Sequence, residues 1–367
     1  MKTLQIFDFL VQRDQLQETL LLERPFTTEL SPDQVLLEIQ FFSFTSNNIT
    51  YGVSGDKLGY WSFFPTQEGY GIIPTWGFAK VIDSTHPEVQ KGERFYGFFP
   101  MSTHLVTSPG RVSQSGFVDQ STHRQQLPGV YNFYFNLAND PSITPESESL
   151  ISIFRPLFVT SFLIEDHLKS ENYFQANQVV LTSASSKTAQ VLACLLSNRK
   201  KKVSKDLHII GLTSKENKGF VSSLGWYDQI LSYDEIGLLD PEKKHIVIDF
   251  TGNHNTQFKL QNLLKEQLVY NCLVGLVDWQ GRKGDEKLPQ KGEFFFAPTF
   301  AEKRQKEWGI DEFHVRLGMA WNHFYDSIRD KIQIQEHLGL ASLSELYPDM
   351  LLGKMNPAHG HIIRIAP

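Results

Sequence analysis

Gln178–Asn198 reads QVVLTSASSKTAQVLACLLSN, and this stretch decides the fold. Gln178 to Thr182 is an apolar run too short for a helix. From Ser185 onward the period changes: Ala189, Leu192, Ala193 and Leu196 fall on one helical face. Between strand and helix lies Thr182-Ser183-Ala184-Ser185-Ser186-Lys187-Thr188-Ala189. A helix start offers backbone N–H groups and a partial positive charge, which suit a diphosphate. Small residues let the backbone approach closely. Ser183, Ser185, Ser186, Lys187 and Thr188 are therefore candidate phosphate-binding residues. A dinucleotide turn usually uses glycines, and this one has none.

The same rhythm continues downstream. Leu207 to Leu212 (LHIIGL), Gln229 to Ser232, His245 to Phe250 (HIVIDF) and Asn271 to Leu276 (NCLVGL) read as strands. Helical stretches at Lys218 to Leu224 and Phe258 to Lys265 separate them. Alternating strand and helix predicts a parallel, doubly wound α/β sheet of Rossmann-like type, covered on both faces. Ligands sit outside the carboxyl ends of such strands. The second strand ends in Gly211-Leu212-Thr213-Ser214-Lys215, where an NAD site would carry an acid for the ribose 2′-hydroxyl. Ser214, Lys215 and Lys218 stand there instead, which favours the 2′-phosphate of NADP(H). Thr251, Gly252 and Gly275, at the next strand ends, are candidates for the ribose and nicotinamide side.

Upstream the texture differs. Val35 to Phe42, Gly77 to Asp83 and Glu93 to Phe99 are short strands punctuated by Gly, Pro and Asp, as in a β-barrel-type domain. Residues 108–150 are polar and irregular apart from the aromatic run Tyr131 to Phe135, and read as a surface excursion or lid. Near the end, Phe313 to Ile334 reads as helix and Gly360 to Ile365 as a strand returning to the first domain. The expected division is 1–155, completed by about 320–367, and 156–319.

Composition narrows the function. The 367 residues carry a net charge of −6, with no basic surplus for nucleic acid. Cys194 and Cys272, the two cysteines, read as buried apolar residues and cannot make a disulfide framework or a zinc lobe. The N-terminus lacks the apolar core of a signal peptide, and no apolar run reaches membrane-span length. A cytoplasmic protein without a membrane partner is expected.

In order along the chain, Val35 to Ser43, Gly77 to Ser84, Lys91 to Gly97 (KGERFYG), Met101 to Thr107 and Leu224-Gly225-Trp226-Tyr227-Asp228 resemble the matching segments of medium-chain dehydrogenase/reductases. Asn47 to Tyr51, Tyr60 to Pro65 and Phe294 to Gly309 resemble an uncharacterised group within them. The resemblance implies a GroES-like β domain beside the Rossmann-like one, and a homodimer by analogy. Zinc alcohol dehydrogenases of this superfamily carry Gly-His-Glu where this chain has Gly77-Phe78-Ala79, and their catalytic cysteine has no counterpart near Thr45 to Thr50. The resemblance is thus to the zinc-free quinone and enoyl reductases, with no metal. It implies an NADPH-dependent reductase of an apolar or aromatic carbonyl compound, a quinone or enone. In that fold the strand at 35–43 leads toward the cleft. Tyr51 or Tyr60 would then donate to the substrate oxygen and Asn48 orient the substrate. Trp61, Phe63, Phe64, Phe295 and Phe296 are candidate pocket walls, and Lys303 and Arg304 candidate phosphate contacts. The rival expectation is a non-catalytic NADP(H)-binding sensor or scaffold.

Overall fold

The structure is a computed structural model and describes residues 3–27, 29–140, 143–203, 207–274 and 292–365. The chain divides into two units, Met1–Ile153 with Gln333–Pro367, and Phe154–Ile332.

The first unit is built on a nine-stranded sheet. Its centre is Val35–Phe44 against Pro74–Ser84, antiparallel, with most side chains buried. Gly77 is required there: a Cβ would stand 2.3 Å from the Phe41 carbonyl oxygen on the facing strand. Outward on one side follow Arg94–Pro100, Phe133–Asn136, Gly116–Asp119 and Pro109–Ser113. On the other side the chain end returns: His359–Arg364 pairs antiparallel with Val35–Phe44 and parallel with Gln333–Leu338. An N-terminal hairpin, Thr3–Gln12 with Gln15–Thr27, forms a second small sheet with Tyr70–Gly71.

Residues 108–150 are not a loose excursion. They supply three of the sheet's strands and the start of the long helix Glu148–Ser170. The strands are four or five residues long, too short to show an alternating pattern. Much of the order here comes from a buried cation instead. Arg124 is almost fully enclosed; its Nη1 donates to Asp119 Oδ2 at 2.9 Å and to Tyr134 Oη at 2.8 Å. Nε donates to Asn132 Oδ1 at 3.0 Å and Nη2 to the Tyr131 carbonyl at 2.8 Å. The guanidinium also faces the rings of Phe63 and Phe64, each at 5.3 Å. Asp119 Oδ1 accepts from the backbone N–H groups of Ser108 and Ser121. A paired, hydrogen-bonded charge is tolerable inside a protein where a lone one is not.

The second unit holds a six-stranded parallel sheet in the order Gln229–Ser232, His208–Thr213, Gln178–Leu181, His245–Asp249, Leu268–Leu273, Glu293–Phe294. Numbered along the chain, this is 3-2-1-4-5-6, the doubly wound order, with its switch point between the first and fourth strands. Val180, Ile210, Leu212, Leu231 and Val247 form one face of the core, covered by Ile236, Leu239, Leu260 and Leu264. The long helix Glu148–Ser170 carries Pro156 in its interior. The helix expected to run to Ile334 is Ile310–Ile328; Gln333–Leu338 is already a strand. Cys194 and Cys272 are buried, and burial pushes their thiols up to about 11 and about 12. Among the described residues no helix is long and apolar enough to cross a membrane.

Replacing Arg124 by Met keeps most of the volume but leaves Asp119 buried without its cation. The expected loss is about 3–5 kcal/mol of unfolding free energy, read from the denaturant midpoint. A loss below about 1 kcal/mol would show that the pair does not hold this region.

Candidate functional site

The switch point is organised by Asp249, which is fully buried at the end of the fourth strand. Its Oδ1 accepts from Thr182 Oγ1 at 2.6 Å, from Thr251 Oγ1 at 2.8 Å and from the Thr251 N–H at 3.0 Å. Thr182 Oγ1 in turn accepts from the Phe250 N–H at 2.9 Å. The first and fourth strand ends are thereby locked together. Among the described residues, Asp249 Oδ2 is buried without a hydrogen-bond partner at this end of the sheet. Thr251 Oγ1 also takes the Asn253 N–H at 3.0 Å, so Thr251 serves first as the hinge of its own turn. Gly252 adopts φ +63°, and there its identity serves the turn. Gly275 lies outside the described residues.

The turn after Leu181 solves the missing-glycine problem in its own way. Ser183 carries the left-handed conformation, φ +48°. Such a residue costs roughly 1–2 kcal/mol relative to a relaxed one, and neighbours hold it there. The Ser183 N–H donates to Tyr233 Oη at 3.0 Å, and its carbonyl accepts from the Ser186 N–H at 2.7 Å. The Ala184 N–H donates to the Leu212 carbonyl at 2.9 Å, and Tyr227 Oη donates to the Ala184 carbonyl at 3.1 Å. Gly211 makes room beneath: a Cβ there would meet Ala184 Cβ at 2.9 Å and the Tyr227 ring at 3.0 Å.

The helix Lys187–Val203 then begins with Ser186 as its cap, Oγ accepting from the Ala189 N–H at 3.3 Å. The backbone N–H groups of Ser185 and Thr188 take no partner among the described residues. They are the donors this turn leaves open. Ser185 Oγ accepts from Thr213 Oγ1 and Asn217 Nδ2, both at 3.3 Å, which ties the turn to the end of the second strand. Lys187 is half-buried with Nζ 5.9 Å from the Phe154 ring centre, and burial lowers its amine to about 7.

Beyond the second strand the basic residues are paired. Lys215 Nζ lies 2.9 Å from Asp234 Oδ2, and Lys218 Nζ 2.7 Å from Glu235 Oε2. Glu235 also accepts from the Ser232 N–H at 2.7 Å, closing a capping box with Ser232. These pairs hold Glu235 down to about 2, through Lys218 first and the Ser232 N–H second. Ser214 opens the turn, its carbonyl accepting from the Asn217 N–H at 3.2 Å.

In the first unit the candidate tyrosines come together. Tyr51 and Tyr60 have ring centres 4.5 Å apart, and Tyr60 Oη lies 3.0 Å from Tyr131 Oη. Trp76 Nε1 donates to Tyr51 Oη at 3.3 Å. Phe63 and Phe98 pack edge-on beside them. Tyr51 is buried; Tyr60 and Tyr131 are half-exposed. Desolvation raises all three phenols, so they stay protonated at neutral pH. Asn48 is different: its Oδ1 accepts from the Thr45 N–H at 2.7 Å, and its Nδ2 donates to the Pro74 carbonyl at 2.9 Å. The amide thus caps the helix Ser46–Val53 at one end and ties it to the strand Pro74–Ser84 at the other. Trp61, Phe63 and Phe64 are buried core of this unit, not open walls. In the second unit Phe295 is buried against Phe300, Phe296 is exposed, and Arg304 is bound to Asp166 and Glu307.

Tyr131, Asp234, Tyr233 and Tyr227 were not picked out from sequence. The Ser232-x-x-Glu235 spacing was a readable cap signal, and Tyr131 opens the aromatic run already singled out.

A family model described as "Protein of unknown function (DUF2855)" matches residues 42–356. No curated protein matches the chain. Solved structures do. A NADPH:quinone reductase described as putative, from Mesorhizobium loti, aligns with TM-score 0.62 at 12% identity over 98% of each chain. CurA from Vibrio vulnificus, in complex with NADPH, gives 0.59 at 12% over 94% of each chain. The yhdH oxidoreductase from Salmonella enterica, in complex with NADP, gives 0.55 at 17%, over 99% of this chain and 100% of that one. The fold is therefore that of the medium-chain dehydrogenase/reductases, a two-unit α/β architecture with a parallel sheet.

If the turn is held in a left-handed shape by its neighbours, Ser183→Gly keeps or raises stability by up to about 1 kcal/mol, while Ser183→Val lowers it by about 1–2 kcal/mol. Thermal melts of both variants check this. Equal stability of the two would contradict the backbone assignment at Ser183.

Proposed function

The chain belongs to the DUF2855 family, and from that premise we propose that it is an NADPH-dependent, zinc-independent oxidoreductase that reduces a quinone, enone or related carbonyl compound. One observation carries the reading. A 3-2-1-4-5-6 parallel sheet places a small-residue turn and a helix start at its switch point, with the Ser185 and Thr188 N–H groups open. The fit to a dinucleotide is supported further by Asp249 Oδ2 at the same end of the sheet, which has no partner among the described residues.

Within this reading, Ser185, Ser186 and Thr188 hold the diphosphate by backbone and hydroxyl donors, with Lys187 in the same helical turn. Ser183 contributes by shaping the turn, since Tyr233 already occupies its N–H. Ser214, Lys215 and Lys218 meet the 2′-phosphate. Thr251 and Gly252 border the nicotinamide-ribose side. NADPH, when bound, supplies the hydride. The protein's remaining task is to orient a carbonyl and stabilise negative charge on its oxygen. Tyr60 is assigned that donor role. Its phenol is half-exposed, stays protonated because burial raises it, and shares a hydrogen bond with Tyr131. Tyr51 packs against the Tyr60 ring and fixes its direction. The half-exposed rings of Tyr60 and Tyr131 offer an aromatic surface to a flat apolar carbonyl compound.

The second reading is a non-catalytic NADP(H)-binding sensor or scaffold. It is favoured by Asn48, which is consumed in capping, and by Tyr51, whose hydroxyl is already bonded to Trp76.

Titration with NADPH and NADH, followed by fluorescence, tests the nucleotide. Loss of NADPH absorbance with a quinone and enone panel tests the reaction. Tyr60→Phe is expected to lower kcat about 100- to 1000-fold with NADPH affinity within about twofold. Saturable NADPH binding with no turnover on any panel member selects the sensor reading. Unchanged turnover in Tyr60→Phe removes that phenol from the reaction.

A further inference from the structure

The corner after the second strand carries acids as well as bases, and that mixture has a consequence for cofactor choice. A ribose 2′-reader belongs at this strand end in the doubly wound fold. Here Lys215 and Lys218 stand opposite Asp234 and Glu235, with Glu216 beside them. Lys259 also acts on Asp234, so three cations and three carboxylates share this corner. Lys215 is the basic group expected to attract a 2′-phosphate, yet its ammonium already sits 2.9 Å from Asp234.

We propose that Asp234 sets the choice between NADPH and NADH, by holding Lys215 in an ion pair that a 2′-phosphate must displace. The inference rests on the nucleotide reading above and deepens it.

The two acids differ in what else they do. Glu235 closes the cap on Ser232 and is built into the backbone. Asp234 forms its ion pair with Lys215, and the two side chains are 71% and 68% exposed. A pair so wet holds the lysine weakly, so a phosphate can exchange with it. The 2′-phosphate brings close to two negative charges and three strong acceptor oxygens. It takes Lys215 from Asp234 and is at the same time repelled by the freed carboxylate. Both effects lower NADPH affinity. Neither touches NADH, which has a hydroxyl at that position. The Lys215 ammonium holds the Asp234 carboxyl below its usual range, so the pair stays charged through neutral and mildly acid conditions. Substitution, not pH, is the way to open it.

Asp234→Asn is the informative variant, because the exposed site tolerates an amide and the cap at Glu235 is untouched. The full-length protein is titrated with NADPH and NADH by fluorescence, as wild type, D234N, K215A and the double variant. D234N is expected to tighten NADPH about threefold to fivefold, the reach of an exposed pair, and to leave NADH within about twofold. K215A is expected to weaken NADPH selectively, and adding D234N to it should restore much less than D234N gains alone. An unchanged NADPH-to-NADH ratio in D234N overturns the proposal. So does a full D234N effect in the K215A background, which would mean simple repulsion without a latch. Failure of the wild type to bind either nucleotide overturns the nucleotide reading itself, and is distinct from both.

Discussion

Asp249 is the point on which the second unit turns. A fully buried carboxylate survives only when its charge is met by donors, and one oxygen of Asp249 collects three of them. Through Thr182 it clamps the first strand to the fourth, and through Thr251 it shapes the next turn. The sheet order makes this the place where two helical connections diverge. The divergence opens a crevice only if the strand ends beneath it hold still, and the Thr182–Asp249–Thr251 set supplies that stillness. The tyrosines extend it: Tyr233 from one side and Tyr227 from below fasten a turn that serine and alanine alone would not keep.

The first unit relies on a comparable device with the opposite sign. Arg124 is a cation where Asp249 is an anion, and it gathers strand, loop and ring faces about itself. Its bond to the Tyr131 carbonyl fastens the residue whose hydroxyl meets Tyr60. A phenol pair at a half-exposed position keeps its geometry when at least one member is fastened from behind. Buried charge here is a means of positioning, since an apolar core cannot direct a hydroxyl.

How much of this could be read from the chain alone depended on the kind of force involved. The parallel sheet was legible because continuous apolar strands such as Val179–Leu181 and Ile246–Ile248 alternate with helical stripes. The turn at Thr182–Thr188 was legible as a phosphate candidate, but not the reason it holds its shape without glycine. That reason lies in Tyr227 and Tyr233, some fifty residues away, and in the close approach that Gly211 allows. The basic corner is legible in Ser214, Lys215 and Lys218; its acids are not, because Asp234 and Glu235 belong to the following connection. Asn48 is legible in two ways: a polar residue after a strand invites a substrate role, and Thr45-x-x-Asn48 is also a reciprocal cap, which is formed in the structure. The strands within 109–136 escaped notice because they are short and because their order is set by a buried ion pair, which leaves no hydrophobic period.

The serine at position 183 has a bearing on how a cofactor would be received. Glycine loops gain their shape at the cost of a large repertoire of unfolded conformations, and often tighten only around a ligand. Ser183 and Ala184 have narrower repertoires, and their hydrogen bonds are satisfied within the protein. Such a cradle is rigid before anything arrives. Its contribution to recognition would then lie in shape fixed beforehand, with little disorder left to quench when the guest settles.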